Sequence, residues 1–123
     1  MTYLPAKEQL QKDLYIKTKF SVSDSNTPWI PQFGVLLKSI VVELKDTATG
    51  TGNSVVRIWE NRGESNQAII FDATFSANEA IKETSSVFSR SVASGSEIAY
   101  SITEITSEDP GGHAIISFVY ENA

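Results

Sequence analysis

The stretch Val92–Asn122, VASGSEIAYSITEITSEDPGGHAIISFVYEN, holds two alternating apolar runs joined by an acidic connection rich in Gly and Pro. Ile98, Tyr100 and Ile102 fall on one face of the first run. Ala114, Ile116 and Phe118 fall on one face of the second, and Val119 on the other. A period of two is the pattern of a half-buried strand. The sheet is therefore expected to run almost to Ala123, with no catalytic domain after it. A chain with this ending is constrained toward a compact β module that makes surfaces.

The same period recurs upstream. Val35–Leu44 (VLLKSIVVEL) is the strongest strand, with Ile40, Val42 and Leu44 on one face and Ser39, Val41 and Glu43 on the other. Ser54–Asn61 (SVVRIWEN) places Val56 and Ile58 on one face and Val55, Arg57 and Trp59 on the other. Asp13–Val22 is rich in strand formers. Ala68–Phe75, Ser86–Val92 and Glu97–Glu104 read as further strands. Ser23–Phe33 (SDSNTPWIPQF) reads as a loop with two prolines. Asp46–Asn53, Arg62-Gly63, Ser94-Gly95 and Ser107–Gly112 read as turns. Ser76–Thr84 is polar, with room for a short helical turn. Pro5–Leu14 is the one helix expected, since Pro suits a first turn and Leu10 and Leu14 are four apart. It is too short to stand alone in water, so it is read as an arm or docked helix.

About seven or eight short strands separated by turns make a sandwich or barrel. Two packed sheets bury one face of each. The chain of 123 residues is one domain by length and large enough to fold without disulfides or metal. It has no Cys, so it offers no disulfide, thiolate ligand or thiol nucleophile. A net charge of -5 argues against binding a phosphate backbone. No apolar run is long enough to span a bilayer, and the polar N-terminus lacks the apolar stretch of a secretory signal.

Residues that could carry chemistry are sparse. His113 is the only histidine. It follows Glu108 and Asp109, and a turn histidine beside acids reads as solvated, with no nucleophile placed for it. Glu104, Glu108 and Asp109 supply oxygens, but no calcium-binding loop pattern surrounds them, and a charged turn is the simpler reading. Gly50–Asn53 lacks the Lys of a phosphate loop. Arg57, Arg62, Lys82 and Arg90 form no basic run. Among the aromatics, Tyr100 belongs to the core. Trp59 lies beside Arg57 on the non-core face and is expected to be either an exposed intersubunit or binding contact or a local cover residue. Trp29-Ile30, between two prolines, is either a preorganised docking pair or a plug for the end of its own fold.

From Phe20 onward the chain resembles the small β-sandwich domains of tailed-bacteriophage virion proteins. Ile40–Leu44 running into the turn Thr47–Gly50 is similar to a strand and turn of that family. Val55–Ile58 followed by Glu60-Asn61-Arg62-Gly63 resembles its strand ending in an I-x-x-N-G turn, with Arg62 inserted. Val92–Ile98 resembles its L-A-x-G-D-x-I hairpin, with Ser96 in place of Asp. Pro110-Gly111-Gly112 before Ala114–Ile116 resembles its entry to the last strand. The order and spacing of these segments carry the resemblance, because each alone uses common turn residues. It implies attachment to or decoration of a virion, commonly as a trimer, without a shared catalytic site. Residues 1–19 lie outside it.

The resulting expectation is an all-β, antiparallel two-sheet sandwich, jelly-roll-like, over residues 15–123, with an N-terminal arm or short helix over residues 1–14. It is expected to be a non-enzymatic virion protein without metal or cofactor. Expected partners are two further copies in a homotrimer and the major capsid protein or other virion proteins, with no nucleic acid and no membrane. One compact body with an arm suits a capsid decoration or cement protein. The alternative is a short tail or fibre component that binds a host-surface glycan. The candidate interface residues are Trp59, Arg57, Trp29 and Ile30.

Overall fold

The computed structural model describes residues 8–24, 27–79, 82–84 and 88–123. Among the described residues nine strands follow in order: β1 Leu10–Lys19, β2 Ser23–Asp24, β3 Val35–Asp46, β4 Asn53–Glu60, β5 Ala68–Ser76, β6 Lys82–Thr84, β7 Arg90–Val92, β8 Ile98–Glu104 and β9 Gly112–Asn122. There is no helix among the described residues.

The strands form two antiparallel sheets. One has the order β1-β9-β3-β6, with β7 also on β3. β7 pairs with Val35–Leu37 and β6 with Val41–Glu43, so the two are successive pieces of one interrupted edge along β3. The other sheet has the order β2-β8-β4-β5. The chain changes sheet at every connection except β4 to β5 and β6 to β7. β8 and β9, adjacent in sequence, thus lie in opposite sheets, and the acidic connection between them crosses the end of the molecule.

Alternation explains which faces meet. Leu37, Ile40, Val42, Leu44, Ala114, Ile116 and Phe118 from the first sheet join Val56, Ile58, Ala73, Phe75, Ile98 and Ile102 from the second in one buried cluster. The longer strands contribute mostly every second residue, as a sheet with one covered face requires, with β3 skipping one position after Leu37. This is the layering of a β-sandwich. Arg90 on β7 reaches across to Glu60 on β4, with Nη2 2.9 Å from Oε1, and ties the two sheets at their open side.

The N-terminal helix is corrected. Leu10–Leu14 is the first half of β1, in register with β9 from Leu10↔Tyr120 through Ile16↔Ala114. The physical reason is that so short a segment cannot supply the cost of nucleating a helix, whereas the edge of β9 offers hydrogen-bond partners along its length. β1 therefore continues across the expected boundary between residues 14 and 15. Glu8 and Gln9 are exposed and outside any regular element, and Pro5–Lys7 lie outside the described residues. No helical turn occurs among the described residues of Ser76–Thr84: Asn78 has a φ of 63° and Lys82–Thr84 is strand. The strand expected over Ser86–Val92 is confined to Arg90–Val92 among the described residues.

Candidate functional site

The connection from β2 to β3 is the most distinctive surface feature. Trp29 forms an isolated bridge with Ile98, its backbone N donating to Ile98 O and its O accepting from Ile98 N, both at 2.8 Å. That bridge turns the indole inward. It packs on Phe118 at 5.4 Å between ring centroids and on Tyr120 at 5.1 Å, both tilted, as aromatic pairs prefer. Trp29 thus plugs the end of its own sandwich. Pro31 is buried behind it.

With Trp29 and Pro31 inward, Ile30 and Phe33 face out. Ile30 is 46% exposed and Phe33 76%, the most exposed of the large apolar side chains described. The loop that carries them is pinned on several sides. Pro31 O accepts from Gly95 N at 2.9 Å, Gln32 O from Ser94 Oγ at 2.7 Å, and Gly34 O from Ala123 N at 2.9 Å. An exposed aromatic on a backbone held this way loses little freedom when it docks. A cleft of about 100 Å³ lies beside it, lined by Trp29, Gln32, Phe33, Tyr120 and Asn122 among others. Phe33 has no periodic signal in the sequence. Its only cue is its place in the Pro31-Gln32-Phe33-Gly34 turn.

Trp59 and Arg57 are brought together on the outer face of the second sheet, as the alternation requires. The expected exposure of Trp59 is corrected: the residue is only 8% exposed. Two guanidinium groups cover the indole, Arg62 at 4.3 Å and Arg57 at 5.6 Å from the ring centroid. Its Nε1 donates to the buried Ser101 hydroxyl. Arg57 is itself held by a two-point contact with Asp72, Nε to Oδ1 at 2.8 Å and Nη2 to Oδ2 at 3.0 Å. That bond raises the Arg57 pKa. Arg57 and Trp59, with Val22, Arg62 and Thr103 among others, line a shallow depression of about 410 Å³. The inserted Arg62 is the residue that sequence reasoning missed here, because its role depends on the turn. Asn61 takes a φ of 53° and Gly63 one of 88°. The Asn61 side chain, bonded to Glu97 N at 3.0 Å, anchors that turn to the start of β8.

At the opposite end of the molecule, Lys19, Asp46, Asp109 and His113 form a polar cluster. Lys19 Nζ is 2.9 Å from Asp109 Oδ2 and 3.5 Å from Asp46 Oδ2. His113 Nδ1 and Asp46 Oδ2 are hydrogen-bonded. The hydrogen bond from His113, then the charge of Lys19, lowers the Asp46 pKa. The bond from Lys19, then that from Gly111 N, lowers that of Asp109. Contact with Asp109 in turn raises that of Lys19. His113 lies in β9 and not in a free turn, with a φ of 49°. Asp109 is tied to Lys19, and no group of three or more His, Cys, Asp or Glu residues that could hold a metal ion occurs among the described residues.

Ile30 and Trp29 thus sit on one loop at one end, Arg57 and Trp59 on one sheet face, and the charged cluster at the other end. No protein-family model, no curated protein and no solved structure matches the chain.

Proposed function

We propose that this chain is a jelly-roll structural protein of a bacteriophage particle, of the decoration or cement type, which binds and stabilises the assembled shell. The strand order carries the reading. If β6 and β7 count as one interrupted strand, the chain has eight strands in the order β1-β9-β3-β6/β7 against β2-β8-β4-β5. Repeated passage between the sheets is how a jelly roll winds two Greek keys into a double layer. A fold does not assign an activity. The assignment to a virion rests on the resemblance from Phe20 onward, which implies this fold class. The shell-binding surface is the pinned loop with Ile30 and Phe33, since interface energy concentrates in a few well-positioned aromatic and apolar anchors.

A protein that binds the assembled shell and not its free subunits stabilises the shell by mass action. The experiment strips or omits the protein, measures the temperature of genome release, and adds back wild type or Phe33→Ala. Wild type should raise the release temperature and Phe33→Ala should not. An unchanged temperature with wild type restored would overturn the assignment.

The second reading is a tail or fibre component that binds a host-surface glycan. The cleft beside Phe33 favours it, because aromatic rings beside the Gln32 amide suit the apolar faces and hydroxyls of a sugar. Binding of the isolated protein to a glycan array, with loss of host adsorption on its removal, would select this reading.

A further inference from the structure

We infer that the outer edge of β1 is a self-association surface, on which a second copy of this chain adds its own β1 antiparallel across a twofold axis through Tyr15. β1 pairs only with β9 among the described strands, so its other side presents the backbone groups of an edge strand. At ten residues without Pro it is a long edge. Tyr15 on it is 56% exposed.

Geometry restricts the pairing. In an antiparallel ladder, opposite residues either both point their N–H and C=O toward the partner or both point them away. Successive residues alternate in this. Two identical strands related by a twofold can therefore pair only with a residue opposite its own copy. Side-chain chemistry then selects which residue. With Tyr15 on the axis, Asp13 faces Lys17 of the second copy and Lys17 faces Asp13. On the inward face Leu14 meets Ile16. Lys12 falls opposite Thr18 and Lys19 opposite Gln11, so no lysine meets a lysine.

Neighbouring registers do worse. An axis through Leu14 sets Asp13 against Tyr15 and Lys12 against Ile16. An axis through Asp13 sets that carboxylate against itself. An axis through Ile16 pairs Asp13 with Lys19, but Lys19 is already held by Asp109 and Asp46 within its own chain. It also places the contact over the bulge that follows Ile16. The Tyr15 register centres on the regular part of β1, and it leaves the half-buried Leu14 covered by an apolar neighbour. Edge lysines usually discourage strand pairing; here Lys17 meets Asp13 while Lys12 and Lys19 meet neutral residues, which favours a second copy in this one register.

The test uses the full chain and its mass by sedimentation between about 10 µM and about 1 mM, the range suited to a small interface. Wild type should reach twice the 13.5 kDa chain mass as concentration rises. Asp13→Lys alone sets lysine against lysine, and Lys17→Asp alone sets carboxylate against carboxylate, so each should remain a monomer. Mixed in equal amounts, the two variants match at both positions and should form the heterodimer. Unchanged circular dichroism and melting would show that each single variant is folded. A wild-type monomer across the range, a wild-type trimer, or a mixture of folded variants that does not associate would overturn the proposal.

Discussion

Phe33 and Trp59 are both large aromatic side chains outside the core, and truncation should affect them in opposite ways. Phe33 is 76% exposed, so Phe33→Ala should change stability by no more than about 0.5 kcal/mol. Trp59 is buried under two arginines with its N–H satisfied, so Trp59→Ala should cost about 3 kcal/mol in denaturant unfolding. Equal costs for the two would show that the Arg57–Trp59–Arg62 stack does not form. The face that Trp59 occupies is legible in the alternation of Ser54–Asn61. Its cover is not, because Arg62 returns over the ring only through a turn with two left-handed residues. The charged cluster yields a pH prediction. Asp46 and Asp109 have folded pKa values below the ordinary 3.8, so their contribution is complete above that value and is lost as pH falls through the folded values. Lys19 is raised above 10.5, so its contribution is complete below that value and is lost as pH rises through its folded value. Urea midpoints measured from acid to alkaline pH should therefore fall at both extremes. Asp109→Asn should flatten both limbs, and high salt should shrink the difference, because these side chains are solvated. A variant with the wild-type pH profile would show that the cluster contributes nothing.

Among the elements, the entry to β9 has the tightest backbone geometry. Gly112 has a φ of 152°, and a Cβ there would lie 2.6 Å from Thr18 O and from Lys19 Cα. The neighbouring Gly111 has a φ of 77°, and a Cβ there would lie 2.8 Å from Asp46 O. Both contacts are with backbone, which cannot step aside, so Gly112→Ala should force β1 away from β9. A loss of about 2 kcal/mol is expected from the strain alone, read as a lower melting temperature. A wild-type melting temperature would mean that β1 is not held close at this point. β3, β4, β8 and β9 are legible because each carries apolar residues two apart on its covered face, although Val55 and Trp59 on the outer face of β4 are buried too and β3 skips a position after Leu37. β1 was only half legible. Leu10 and Leu14 are spaced for a helix, while Leu14 and Ile16 are spaced for a strand, and only the presence of β9 decides between them. The split of one edge into β6 and β7 leaves no trace in period or composition, because short edge strands need little apolar alternation. The assignment of β8 and β9 to different sheets is likewise invisible locally, since a strand's pattern records which face is covered and not which strand lies beside it.

At the scale of the whole molecule, the sandwich has two unlike regions available to partners: the loop end with Ile30 and Phe33, and the edge of β1. The trimer expected from the resemblance drew part of its support from an exposed Trp59, and that part is gone, since the indole is covered. Antiparallel pairing through β1 turns the loop ends of the two copies in opposite directions, so pairing in solution and attachment of both copies to one shell exclude each other. The central claim is attachment to the shell of a particle. The most direct measurement is an image reconstruction of particles that carry the protein, into which the two-sheet domain can be placed. Domains should repeat over the capsid lattice, with the Ile30–Phe33 end against the shell. Finding the domain only in the tail, or finding it on the lattice with Phe33 facing solvent, would contradict it.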